Sequence, residues 1–166
     1  MTLKKFSMDI SPYILREFKE EDLASVVDIN LKCLPENYPD FFFLGIYYRY
    51  PKSFLIAEKE KKIVGYAMFR KEKGISCFGL KWLDKGHLVS IAVLPEHRGK
   101  TIGHNLLLAG IHSMKFDYNA KEIILEVRIS NTSAINLYKK NSFSTVKTLS
   151  HYYKDGEDAY LMAFKC

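Results

Sequence analysis

The stretch GHLVSIAVLPEHRGKTIGHNLL, from Gly86 to Leu107, constrains the fold more than any other part of the chain. The run from His87 to Leu94 reads as a strand, and its near-continuous apolar character predicts burial on both faces. Pro95 follows, then a short basic turn punctuated by Gly99 and Gly103. From Thr101 to about Phe116 the pattern is helical, with Leu106, Leu107, Gly110, Ile111 and Met114 on one side. Glu122 to Ile129 is the next strand. A helix of that length between two apolar strands fits a right-handed crossover joining parallel strands.

The flanking segments turn this unit into a mixed sheet. Upstream, YILREF (13–18) reads as a strand. Glu20 to Cys33 carries a helical stripe at Leu23, Val26, Val27 and Leu31. LPENYP interrupts that pattern with two prolines, and DFFFLGIYYRY makes a second, aromatic helix. SFLIAEK and KIVGYAMFRKEK read as antiparallel strands joined by a tight charged turn, and GISCFGLKWLD as an irregular loop. Downstream, Asn131 to Lys140 is a helix, and two last strands flank the turn signal Asp155–Gly156. The expectation is an α/β fold: a mixed sheet around a central parallel strand–helix–strand unit, with about four helices. A chain of 166 residues suffices for one domain with a real core and is too short for two, so a single domain over 1–166 is expected, with a short extension at 1–12.

Composition excludes several classes. No apolar run approaches the ~20 residues of a membrane span, and the N-terminus has no apolar signal region, so neither a membrane protein nor a secreted one is expected. Cys33, Cys77 and Cys166 form no CxxC pair and are odd in number, which predicts free thiols in a reducing cytoplasm. The net charge of +6 favours anionic partners, but the basic residues are scattered and do not argue for nucleic acid in particular.

The turn Arg98, Gly99, Lys100, Thr101, Ile102 and Gly103 lies between a strand end and a helix start. There the first helical N–H groups lack intrahelical partners and the helix dipole is positive, a place suited to phosphate oxygens or, equally, to an ordinary solvated helix start. Neither GxxxxGK[ST] nor GxGxxG occurs. RGKTIG resembles the pyrophosphate loop Q/R-x-x-G-x-G/A of the GNAT superfamily of acetyltransferases, with Arg98 at the first position and Gly103 at the last. Thr101 stands where the family has a glycine; it would compensate as a helix cap or through its hydroxyl. GHLVSIAV (86–93), LPENY (34–38) and YYKDGEDAY (152–160) resemble the Ard-type catalytic subunits of N-terminal acetyltransferases, and EVRISNTSAINLYKK (126–140) their later acetyl-CoA motif. The resemblance covers roughly residues 13 to 164.

It implies one N-acetyltransferase domain that moves an acetyl group from acetyl-CoA to the α-amino group of a protein N-terminus. Ile91, Ala92 and Val93 would bond the pantetheine arm along a strand edge, Arg98 to Gly103 would hold the diphosphate, and Asn131 and Tyr138 would touch the cofactor. Asn131 and Tyr138 are seven residues apart and share a helix face; an N-cap and a core tyrosine are their plain alternatives. If the CoA thiol resembles Cys (pKa ~8.5), full proton transfer from Tyr (pKa ~10) is uphill by roughly 2 kcal/mol, so Tyr138 is expected to act by hydrogen bonding.

The amine must lose a proton, and Glu36, His87 and Glu126 are the candidate bases. Leu34, Pro35, Glu36, Tyr38, Tyr152 and Tyr153 are the expected peptide contacts. No metal is expected. Partners implied by the resemblance are protein or nascent-chain N-termini, with the ribosome or an auxiliary subunit beside them. Competing readings are an enzyme for one ribosomal protein's terminal alanine, another small GNAT, or a non-catalytic basic module binding RNA or protein.

Overall fold

Alternation along two neighbouring strands fixes the layers. In β3 (Phe54–Lys59), Phe54 and Ile56 join one apolar cluster while Leu55 and Ala57 join another. In β4 (Lys62–Ile75), Tyr66 and Met68 belong to the first cluster, Ala67 and Phe69 to the second. Successive side chains of a strand point to opposite faces, so this sheet is buried on both sides. The computed structural model describes residues 7–166. Helices α1 (Leu23–Cys33) and α2 (Asp40–Arg49) cover the first face through Val26, Ile29, Phe43 and Ile46. Helices α3 (Ile102–Phe116) and α4 (Thr132–Lys140) cover the second through Leu106, Leu107, Ile111, Met114, Ile135 and Tyr138.

The remaining strands are β1 (Ser7–Ile10), β2 (Tyr13–Glu17), β5 (Trp82–Val93), β6 (Glu122–Arg128), β7 (Ser144–Leu149) and β8 (Ala159–Lys165). They form one eight-stranded sheet in the order β1-β2-β3-β4-β5-β6-β8-β7. β1 to β5 run as antiparallel neighbours, β5 and β6 are parallel across α3, and β8 lies between β6 and β7, antiparallel to both. α3 lies close on the sheet because Gly110 has no side chain: a Cβ there would sit 2.0 Å from Phe69 Cε2.

The expected mixed sheet and the parallel unit are present, and so are the helices. Two readings need correction. Residues 7–10 of the expected extension form β1, while residues 1–6 lie outside the described residues. The GISCFGLKWLD loop is shorter than expected, residues 76–81: β4 continues to Ile75 and β5 starts at Trp82, paired Ile75↔Trp82 through Lys71↔Gly86. β1 is only four residues long, with Met8 and Ile10 against the α3/α4 cluster, and the outer β4–β5 pairing is largely charged, so neither carries an apolar pattern long enough to announce it. Cys33, Cys77 and Cys166 are all unpaired.

Candidate active site

β5 and β6 part company inside the sheet. They pair only at Lys85↔Glu122, Gly86↔Ile123 and His87↔Ile124, although β5 runs on to Val93 and β6 to Arg128. A bulge explains the divergence. Against β4 the register jumps from Met68↔Ser90 to Phe69↔Leu88, leaving Val89 as the extra residue, and such bulges bend and twist a strand. Beyond the bulge, the Leu94 N–H donates to Val64 of β4. By strand alternation Ala92 also faces β4, while the backbone groups of Ile91 and Val93 face the gap. The Val93 carbonyl is partly engaged already, by Arg98 Nε at 2.9 Å. Of the expected trio, then, Ile91 and Val93 offer backbone groups to a ligand and Ala92 does not.

The basic turn closes one end of the gap. The first intrahelical bond of α3 runs from Asn105 N–H to the Thr101 carbonyl, so the amides of Ile102 and Gly103 have no intrahelical acceptor. The Arg98 amide is used within the turn, on Pro95. Lys100 Nζ bonds the Glu96 carbonyl at 3.1 Å. Gly99 and Thr101 both have positive φ, at 72° and 60°. Thr101 does not cap the helix as expected; its hydroxyl donates to the Lys100 carbonyl at 2.7 Å. A cap residue needs an extended backbone, and the left-handed conformation here turns the hydroxyl away from the first helical amides. Asn131 does cap α4, accepting from the Ala134 N–H at 3.1 Å. Tyr138 is buried on the α3/α4 face against Phe143, and burial holds its phenol far above the usual tyrosine range.

The carboxylates gather on the other face. Leu125 and Val127 belong to the α3/α4 cluster, so Glu126 and Arg128 between and after them point to the α1/α2 side. At the point where the strands part, His87 Nε2 lies 2.7 Å from Glu126 Oε2. His87 Nδ1 lies 3.2 Å from Glu72 Oε2 and 3.3 Å from Arg70 Nη2. Burial alone would favour the neutral ring, but the hydrogen bonds and charges of Glu126 and Glu72 outweigh it and raise His87 to about 9. Tyr138 thus lies on one face of the sheet and the histidine–carboxylate cluster on the other.

Residues 23–143 match the acetyltransferase (GNAT) family. The chain belongs to it. The N-alpha-acetyltransferase of Sulfurisphaera tokodaii is 50% identical over 155 residues, covering 91% of this chain and 92% of that protein. The catalytic subunit NAA10 of the N-terminal acetyltransferase A complex of Arabidopsis thaliana is 34% identical, over 89% of this chain and 75% of its own. Arabidopsis thaliana Naa50, solved in complex with the bisubstrate analogue CoA-Ac-MVNAL, superposes with a TM-score of 0.79 at 25% identity, over 93% of this chain and 99% of that one.

In this GNAT chain the loop carrying Leu34, Pro35, Glu36 and Tyr38 sits beside the cluster. Leu34 ends α1, its N–H on the Asn30 carbonyl at 3.0 Å. Asn30, buried, also donates to the Glu36 carbonyl at 3.2 Å and to Tyr66 Oη at 3.0 Å, which ties the loop to the sheet. Tyr38 stacks on Phe42, with ring centroids 4.6 Å apart. Burial, then the charges of Glu36 and Glu126, push its phenol up. Tyr152 and Tyr153 pack edge to face at 5.1 Å in the β7–β8 connection. Burial raises both, with Glu126 adding to the effect on Tyr152 and Glu36 on Tyr153. Pro35 is exposed at the rim.

The GNAT chain also uses residues that the sequence reading passed over. Arg128 binds Glu36 Oε1 at 2.6 Å, Asp155 Oδ2 at 2.8 Å and Glu157 Oε2 at 2.5 Å, and its guanidinium lies 4.0 Å from the Tyr153 ring centroid. One arginine therefore fastens both rim loops to the end of β6. Its only trace in the sequence is the spacing Glu126, Arg128, which puts both on one strand face. Glu72 and Arg70 stand two apart on β4 in the same way, inside a charged run that reads as solvated surface.

Proposed function

We propose that this enzyme transfers the acetyl group of acetyl-CoA to the N-terminal α-amino group of proteins and peptides. The parted strands carry the reading. An extended, amide-bearing thioester fits a gap with unpaired strand edges, a cationic turn at one end and unpartnered helix amides beside it. In this reading the diphosphate rests on the amides of Gly99 to Gly103 with Arg98 and Lys100 nearby, and the arm bonds Ile91 and Val93. Asn131 and Tyr138 border the thioester from α4. The peptide enters from the opposite face, past Leu34, Pro35, Tyr38, Tyr152 and Tyr153.

The amine nitrogen attacks the thioester carbonyl. The C–N bond forms as the C–S bond breaks, the nitrogen gives up a proton, and CoA leaves as the thiol after taking one up. A gap-facing donor such as the Val93 N–H stabilises the oxyanion as it develops. Tyr138 is a hydrogen-bond donor to sulfur; its raised pKa makes it a poorer proton source than an ordinary tyrosine. Glu36 holds the ammonium, and the His87–Glu126 pair receives its proton, directly or through water. The unpaired cysteines support a cytoplasmic setting, where nascent N-termini are available. The name of the Arabidopsis relative supports an auxiliary subunit, and the chain's excess positive charge suits the ribosomal surface.

Peptides beginning Ser, Ala, Met and Glu, incubated with enzyme and acetyl-CoA, are expected to gain one acetyl group at the N-terminus by mass spectrometry. His87→Ala, Glu126→Ala and Glu36→Ala should each slow transfer by ~10²–10⁴-fold. A Tyr138→Phe enzyme as fast as wild type at saturating substrates would remove that tyrosine from the chemistry, and wild-type enzyme acetylating none of these peptides would end the proposal.

A further inference from the structure

His87 is held at both ring nitrogens by carboxylates from two different strands. Nε2 meets Glu126 Oε2 of β6 at 2.7 Å, and Nδ1 meets Glu72 Oε2 of β4 at 3.2 Å. An ionised carboxylate only accepts hydrogen bonds, so each contact asks its ring nitrogen for a proton. A neutral imidazole can satisfy one of them and would turn a lone pair toward the other. Glu72 is the partner that the proposed chemistry leaves without a role.

We propose that Glu72 is a positioning residue: it fixes the Nδ1–H of His87, aims Nε2 at Glu126, and so sets the pH at which the His87–Glu126 pair can take up the substrate's proton. The inference rests on the acetyltransferase reading given above, but the contact it concerns is a property of the free chain. The geometry is built from the sheet itself. Arg70 is paired with His87 across the β4–β5 ladder, and Glu72 follows two residues later on the same face. His87 is only 12% exposed at its side chain, so its protonation is decided by these neighbours rather than by solvent.

The groups facing the ring are few. β4 supplies Glu72 and Arg70, the latter 3.5 Å from Glu72 and 3.3 Å from His87 Nδ1. β6 supplies Glu126. Lys85, two residues before His87 on β5 and paired with Glu72 across the ladder, acts on Glu72, and the phenols of Tyr38 and Tyr152 feel Glu126 and Arg70 from the two rim loops. Only the two carboxylates favour the imidazolium. The bond to His87 in turn holds Glu72 below the ordinary carboxyl range, against the effect of burial. Raised to about 9, His87 keeps its proton at neutral pH, and the pair becomes an acceptor only as that proton leaves. Without Glu72, Arg70 is the neighbour left at Nδ1, and the ring should lose its proton at lower pH.

The test is Glu72→Gln, which keeps the shape and removes the charge, with Glu72→Asp as a charged but shorter control. Ring signals of 13C- and 15N-labelled histidine are followed by NMR against pH in the free enzyme, with His87→Asn identifying the signal among the five histidines. The midpoint for His87 is expected to fall by about one pH unit or more in the Gln variant and by less in the Asp variant. In steady-state assays at saturating peptide and acetyl-CoA, the acid limb of kcat should move down by the same interval while the plateau drops. An unmoved NMR midpoint overturns the proposal, because Glu72 then does not hold the ring. A moved midpoint with an unmoved kcat limb overturns it too, because the ring's proton then does not gate transfer. Wild-type enzyme acetylating no peptide would instead defeat the functional reading, taking the catalytic part of the proposal with it, while the NMR titration still decides whether Glu72 holds His87.

Discussion

Thr101 pays for its place in the turn with backbone strain. At φ 60° and ψ 2° it occupies the left-handed region, where a β-branched residue crowds its own carbonyl. The resemblance to the GNAT loop has glycine at this position, and the conformation gives the reason. Local bonds compensate in part: the hydroxyl reaches Lys100, and Asn105 Nδ2 bonds the Thr101 carbonyl at 3.0 Å. Thr101→Gly should relieve about 1–2 kcal/mol of strain and lose roughly 0.5–1 kcal/mol to the freer unfolded chain. The net expectation is a rise in Tm of ~1–3 °C by calorimetry. A fall would mean that the hydroxyl contacts outweigh the strain. The sequence showed this departure from the motif but not its consequence, because a cap and a left-handed threonine are written with the same letter. Asn131 was legible as a cap because its role is settled within its own helix turn. Arg128 was not, since its partner Glu36 lies 92 positions away in the chain.

At the level of elements, β6 acts as a post to which two loops are tied. Arg128 at its end binds Glu36 of the α1–α2 loop and Asp155 and Glu157 of the β7–β8 connection, with its side chain only 15% exposed. Arg128→Ala leaves three carboxylates without their shared cation and frees both rims. Losing charge-assisted bonds worth ~1.5–3 kcal/mol should raise the peptide KM by roughly ten- to a hundredfold. The acetyl-CoA KM should change little, because none of these contacts touches the α3 turn. Parallel increases in both constants would contradict the assignment of the loops to the peptide. Helices α1 and α3 were legible from their apolar spacing, and α2 from an aromatic run bounded by prolines. β1 and the outer β4–β5 hairpin were not: β1 has only Met8 and Ile10 to mark it, and the outer hairpin is dominated by charged residues. The Asp155–Gly156 signal did mark a turn, with Gly156 at φ 86°, though inside a longer connection than a two-residue hairpin.

For the whole molecule, the parallel unit was predictable because α3 is long enough to cross the sheet, whereas the placement of β8 between β6 and β7 was not. Nothing in a strand's composition states which neighbour it will choose. A ligand that binds the folded chain alone stabilises it by about 2.7 kcal/mol at a hundred times its Kd. Acetyl-CoA or CoA at that excess should raise Tm by ~5–10 °C in a thermal-shift measurement, and no rise would count against the gap as its seat. The gap has a mechanical side as well. Between the five strands on one flank and the three on the other, the β ladder runs only through Lys85↔Glu122, Gly86↔Ile123 and His87↔Ile124, so the sheet is a zip left mostly undone. Whatever extended chain lies in the open part can engage the exposed teeth on both sides. Acetyl-CoA seated there would brace the two flanks against each other, and the loaded enzyme is expected to be a stiffer body than the empty one.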